Sequence, residues 1–123
     1  MKKRDITLWI VAIVLAVVFI LIGLSKVTGP SSDGWDRRFQ NWGYPASAAF
    51  VVGVFEIAAG VALLLPKTRR AAAAVLIVIM AGAVFTHLIH AEYARVIPPI
   101  VFGICARLTM LANGNSFGAY PRS

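Results

Sequence analysis

Cysteine is nearly absent: Cys105 is the single one in 123 residues. An intramolecular disulfide and a Cys-x-x-Cys redox pair are therefore excluded. Cys105 itself, inside an apolar stretch, reads as a small core filler. Acids are also scarce. Five Asp and Glu stand against twelve Lys and Arg, a formal charge of +7. Only Glu56 among the acids falls within a long apolar run. No Walker loop, dinucleotide fingerprint, His-Glu-x-x-His motif or hydrolase elbow occurs, so no cofactor or metal is bound through a recognisable motif. No internal repeat or low-complexity linker is present. A pI near 10.4 would point to nucleic acid if the charge formed a face. Here the basic residues sit at the ends of apolar segments instead, which excludes nucleic acid as the partner and places the charge where a membrane protein carries it.

Apolar residues are abundant. The AVILMFWYC set makes up 59% of the chain and mean hydropathy is +0.80. That is too apolar for a soluble domain, and far too apolar for a disordered basic tail. Four runs are long enough to cross a bilayer as helices, at about 8–25, 46–65, 71–90 and 97–112, since a span takes about 20 residues. Pro45 and Pro66 bracket the second run, Thr68 can cap the third, and Pro98-Pro99 suit the first turn of the fourth. Asn113-Gly114 marks its end. The expected fold is all-α: one transmembrane domain, a four-helix bundle in the membrane. Lys2, Lys3 and Arg4 could open a signal peptide, but the first run is too long and lacks a small-x-small cleavage site, so it is read as an uncleaved helix. Counting Lys and Arg, one side holds seven (Lys2, Lys3, Arg4, Lys67, Arg69, Arg70, Arg122) and the other four (Lys26, Arg37, Arg38, Arg95). Both termini are thus expected in the cytoplasm.

The longest connection, Val27 to Tyr44, contains a short interfacial helix at about 34–42, between the first two spans. Asp33 can cap it, with Asp36 placed as in a capping box. Trp35, Phe39 and Trp42 fall at i, i+4 and i+7. They form either an aromatic belt at the headgroups or a lid over a site that opens outward.

Polar groups at membrane depth are costly and mark sites by default. Glu56 and Arg107 each lie about ten residues into spans that both run from outside to inside, hence at matching depth near the midplane, and are expected to pair. Gly53 and Gly60 share the face of Glu56, and Gly103 that of Arg107, which suits close helix approach. The pair reads equally as structural glue or as a substrate or proton site. His87 and His90 lie three apart near the outer end of the third span. Two His alone are a weak metal signal, and a titrating pair at an outward vestibule, or interfacial hydrogen bonding, suits them better. Lys26 reads either as a snorkelling interfacial lysine or as a cation at the mouth of a pocket formed with Glu56, Arg107 and His87.

At these residues the chain resembles the DoxX family of small four-helix bacterial membrane proteins. The resemblance rests on FILIGLSKVTG (19–29), on NWGYPASAAFVVGVFEIAAGVALLLPKTRRAAAAVL (41–76) with its Gly-Tyr-Pro lead-in and Gly-x-x-Glu-Ile pattern, and on AGAVFTHLIH (81–90). It implies an inner-membrane four-helix protein. Some members are subunits of a thiosulfate:quinone oxidoreductase, and others associate with membrane redox, sulfur or oxidative-stress systems. Glu56 and Lys26 match recurrent family positions, whereas Arg107 stands on depth alone. The first expectation is an accessory subunit of a membrane redox system, quinone- or sulfur/thiol-linked, not catalytic alone. Quinone is its expected ligand near Glu56, Arg107 and His87. A membrane or periplasmic redox protein is its expected partner besides the lipid bilayer. A small-solute or proton-coupled permeation subunit, as a homo-oligomer, and a purely structural partner remain the alternatives.

Overall fold

Small residues decide how closely these helices can pack. In the computed structural model, which describes residues 3–115 with side chains as far as Met110, five α-helices and one 3-10 turn follow each other. They are α1 (Lys3–Val27), α2 (Ser32–Asn41), α3 (Ala48–Leu63), α4 (Arg69–Ile89), the turn Tyr93–Val96 and α5 (Ile97–Asn115). No strand occurs among the described residues. The long helices form an all-α membrane bundle in which α1 packs on α3, α3 on α4, α4 on α5 and α5 back on α1. α3 and α5 thus lie diagonally across the ring.

The inward stripe of α3 runs through Ala49, Gly53, Glu56, Gly60 and Leu63, with Ala59 beside it, in the i, i+4, i+7 pattern of a single helical face. α1 answers with Ala12, Ala16, Phe19, Gly23 and Lys26. A Cβ on Gly23 would meet the Gly53 carbonyl oxygen at 2.6 Å, and one on Gly60 would meet Ile20 Cγ1 at 2.8 Å. Only glycine lets the two backbones come this close, and in lipid such packing drives helix association. Gly103 differs. Its nearest neighbour would be Met80 Cβ at 3.8 Å, an ordinary contact.

Leu15, Phe19, Leu63, Leu76 and Ala106 fill the centre of the bundle. Outward faces are apolar too, with Ile10, Val17, Leu21, Val78 and Phe85 exposed, as a surface solvated by lipid tails requires. α1, α4 and the segment Tyr93–Met110 are long and apolar enough to cross a membrane, while the apolar α3 has 16 residues. The expected 46–65 span is shorter because Ala48 N–H already bonds back to Pro45, and Leu64 and Leu65 turn before Pro66.

Several local signals resolve differently from expectation. α2 begins at Ser32, one residue before Asp33, and Ser31 at its N-cap makes no side-chain cap. The Ser32 hydroxyl instead donates to the Gly29 carbonyl, so Asp33 lies in the first turn, where its charge meets the helix dipole. Thr68 does hold the N-cap position of α4, but its hydroxyl donates backward to Ala62 O at 2.8 Å and so satisfies the end of α3. Pro98 and Pro99 occupy the first turn of α5, and that helix runs on to Asn115 through Asn113-Gly114. Lys2 and Arg122, counted for orientation, lie outside the described residues.

Candidate functional site: a lidded cavity over a buried ion pair

Glu56 is the centre of the site. It lies eight residues below the start of α3, about 12 Å along the helix, and its side chain is 1% exposed. Its partner is Lys26, whose Nζ donates to Glu56 Oε1 at 2.8 Å and whose side chain is 8% exposed. The expected Glu56–Arg107 pair does not form. Equal depth is not equal azimuth: the inward face of α5 is carried by Phe102, Ala106 and Thr109, and Arg107 is turned about 100° from Ala106 and is exposed. α5 also stands across the ring from α3, whereas α1 is its glycine-seamed neighbour. Lys26, read from the sequence as an interfacial or mouth cation, therefore turns inward.

Above this pair lies a cavity of about 610 Å³, bounded by all four long helices and by α2. Its foot is Phe19, whose ring meets Phe102 edge-on at 5.5 Å. Its walls include Ile22, Val52, Ile79 and Ala83, and its roof is Trp35, Phe39, Trp42 and Tyr44. The roof aromatics pack on one another, with Phe39 5.3 Å from Trp42 and 5.8 Å from Tyr44. Thus α2 covers a site, in the manner of a lid.

The lid is tied at both ends. Trp35 Nε1 donates to Ser25 Oγ at 3.0 Å, and the Lys26 ammonium lies 4.6 Å from the Trp35 ring centroid. At the other end, Trp42 meets the His87 ring edge-on at 5.4 Å. Tyr44 hydrogen-bonds Thr86 through its hydroxyl. Gly29 and Gly43, just outside the two ends of α2, both have positive φ, 90° and 95°. That conformation suits glycine and turns the chain at each end of α2.

His87 and His90 part company despite their spacing. His87 lines the cavity, and its Nδ1 lies 2.9 Å from Glu92 Oε1. His90 ends α4, with Nδ1 2.8 Å from Thr86 O, and faces a separate outer niche. Glu92 ties the region together through His87 and through Arg95, the latter at 3.5 Å. The hydrogen bond with His87 holds the Glu92 carboxyl below its ordinary value; Arg95 and Trp42 add to this, against an opposing push from burial. Among the described residues no three His, Cys, Asp or Glu come together as metal ligands.

Sequence reasoning gave no site role to Glu92, in the connection after α4, to Thr86, in the last turns of α4, or to Tyr44, which entered only through the Gly-Tyr-Pro lead-in. It also missed Arg69, counted only for topology. Arg69 is fully buried at the opposite end of the bundle, its Nε donating to Leu63 O at 2.6 Å and its guanidinium 4.5 Å from the Trp9 ring.

The glycine seam, the Lys26–Glu56 pair and the Tyr44-Pro45 lead into α3 all fall within residues 10–109, which match the family model described as the DoxX-like family. The chain belongs to the DoxX-like family. No curated protein matches it. A DoxX-like chain is a membrane protein, in accord with the apolar outer faces of these helices.

Proposed function

We propose that this DoxX-like protein binds the ring of a quinone in the lidded cavity and serves as an accessory subunit of a membrane redox system. The observation that carries this reading is the Lys26–Glu56 pair at the foot of an aromatic-roofed cavity of about 610 Å³. A flat, apolar ring with two carbonyl oxygens fits such a place. Phe39, Phe102 and Trp42 offer faces and edges for ring packing. The Lys26 ammonium retains donors beyond the one given to Glu56, enough to bond a carbonyl oxygen.

A quinone supplies two-electron, two-proton chemistry when bound, and its electrons would come from a partner's cofactor. This chain's part is binding and proton handling. Glu56 holds or releases a proton with Lys26 as its counter-charge, and His87 stands on the cavity wall between Glu56 and the outer end. Beneath the pair the bundle closes over Phe19, Leu63 and Leu76, all fully buried. That packing favours a binding pocket over a permeation path. The charge bias supports a bacterial inner-membrane setting with both termini cytoplasmic, and the lid then faces the periplasm, where a redox partner would dock.

Photolabelling with an azido-quinone tests the reading. In purified protein, label is expected on peptides carrying Phe39, Trp42 or Phe102, with protection by excess unlabelled quinone. Labelling spread over the lipid-facing residues of α1 and α4, without protection, would sink it.

A further inference from the structure

Beside the cavity lies a second hollow of about 450 Å³ on the outer face of the lid. It is polar, and its charge is unbalanced. Arg37 and Arg38 reach it from α2, Arg95 from the 3-10 turn before α5, and Glu92 is its single acid. Arg95 lies 3.5 Å from Glu92 and remains half exposed. The Arg38 guanidinium is fixed 4.8 Å from the Trp35 ring centroid. Neither Arg37 nor Arg38 makes an ion pair among the described residues. Three arginines therefore line one hollow across the seam between the lid and the bundle, with one carboxylate to balance them.

We infer that this niche binds a phosphate-type oxyanion, held by Arg37, Arg38 and Arg95. Guanidinium forks match the paired oxygens of such an anion and bind them bidentately. Asn41 supplies a neutral amide donor on the same wall. The hollow, about 450 Å³, is roomy enough for a headgroup. An anion there would link two elements that otherwise repel: Arg37 and Arg38 belong to the lid, and Arg95 to the linker between α4 and α5. Arg38, Trp42 and Arg95 also line the inner cavity, so the anion would staple the lid over it. The oxyanion could be the phosphate of an anionic lipid, since an interfacial helix lies at headgroup depth, or a free anion from the aqueous side. This site stands whether or not the cavity takes a quinone.

The test uses purified full-length protein in dodecyl maltoside, a micelle with neither charge nor phosphate. Two probes are titrated separately, inorganic phosphate and monomeric dihexanoyl phosphatidylglycerol, with hydrogen exchange of residues 32–41 as a second readout. At least one probe is expected to bind saturably, to weaken as salt rises and to slow exchange in the lid. Arg37→Gln with Arg95→Gln is expected to weaken it about tenfold or more. Phosphate binding alone assigns a free anion, phosphatidylglycerol binding alone assigns a headgroup, and binding of both assigns the shared phosphate chemistry. Asn41→Asp leaves every arginine in place and adds a charge, so it should weaken binding even if the double variant folds poorly. Absence of saturable binding by either probe, or undiminished binding in the variants that fold, would overturn the inference.

Discussion

Lys26 Nζ stands 2.8 Å from Glu56 Oε1 across the seam where α1 and α3 touch through Gly23 and Gly53. The ion pair and the glycine contact are one device. Gly53 lies one turn before Glu56, and a Cβ there would meet Lys26 Cβ at 2.8 Å. Close backbones are what bring a lysine from the end of α1 to a carboxylate in the middle of α3.

Breaking the pair from one side is expected to be costly. Lys26→Met leaves a buried carboxylate without its cation, a change that typically costs about 3–5 kcal/mol. The double variant Lys26→Met with Glu56→Met should recover most of that loss, because the apolar replacements carry no charge to desolvate. Thermal unfolding in a fixed detergent reads both. A double variant no more stable than the single one would show that the two side chains are not a pair.

The glycines should separate by position. Gly53→Ala and Gly23→Ala each force α1 from α3 and are expected to cost about 1–3 kcal/mol, as overpacking does. Gly103→Ala meets only Met80 at 3.8 Å and should be close to neutral. Equal losses at all three positions would contradict the close seam.

Arg107 offers a control on azimuth. It is exposed on α5, so Arg107→Leu should change stability by no more than about 0.5 kcal/mol. A loss as large as that of Lys26→Met would return Arg107 to the site.

These contrasts show where the sequence was legible. Hydropathy and proline spacing located the long helices, since a lipid environment leaves few other solutions for apolar runs. Glu56 was conspicuous as the single acid inside a span, and the aromatic spacing on α2 pointed to a belt or a lid. Rotation was not legible. Depth can be counted along a chain, but which helix stands beside which depends on the ring order, and that order gave Glu56 to Lys26 and left Arg107 outside. His87 and His90 likewise share a spacing but not a site, because the end of α4 turns at His90. Glu92 could have been found only by asking which acid lay within reach of a histidine across a short turn.

The tether at the Trp42 end of the lid should weaken in acid. Glu92 has a lowered pKa in the folded protein, chiefly through its hydrogen bond with His87. Its contribution is therefore fully present above the ordinary carboxylate value, about 4.3, and is lost as pH falls through the lower folded value. Hydrogen exchange of residues 32–42 should accelerate as pH is lowered through that window, after correction for intrinsic exchange. Glu92→Gln should remove the pH step. A step of the same size in the variant would assign it to another group.

The most direct measurement is quinone binding to the protein in nanodiscs, read by quenching of tryptophan emission with a short-chain quinone. Wild-type protein should bind one quinone saturably, and Lys26→Met with Glu56→Met should fold yet bind at least about tenfold more weakly, the equivalent of about 1.4 kcal/mol. Equal saturable binding by both proteins, or only the unsaturable partitioning seen with empty nanodiscs, would contradict a quinone site built on this ion pair.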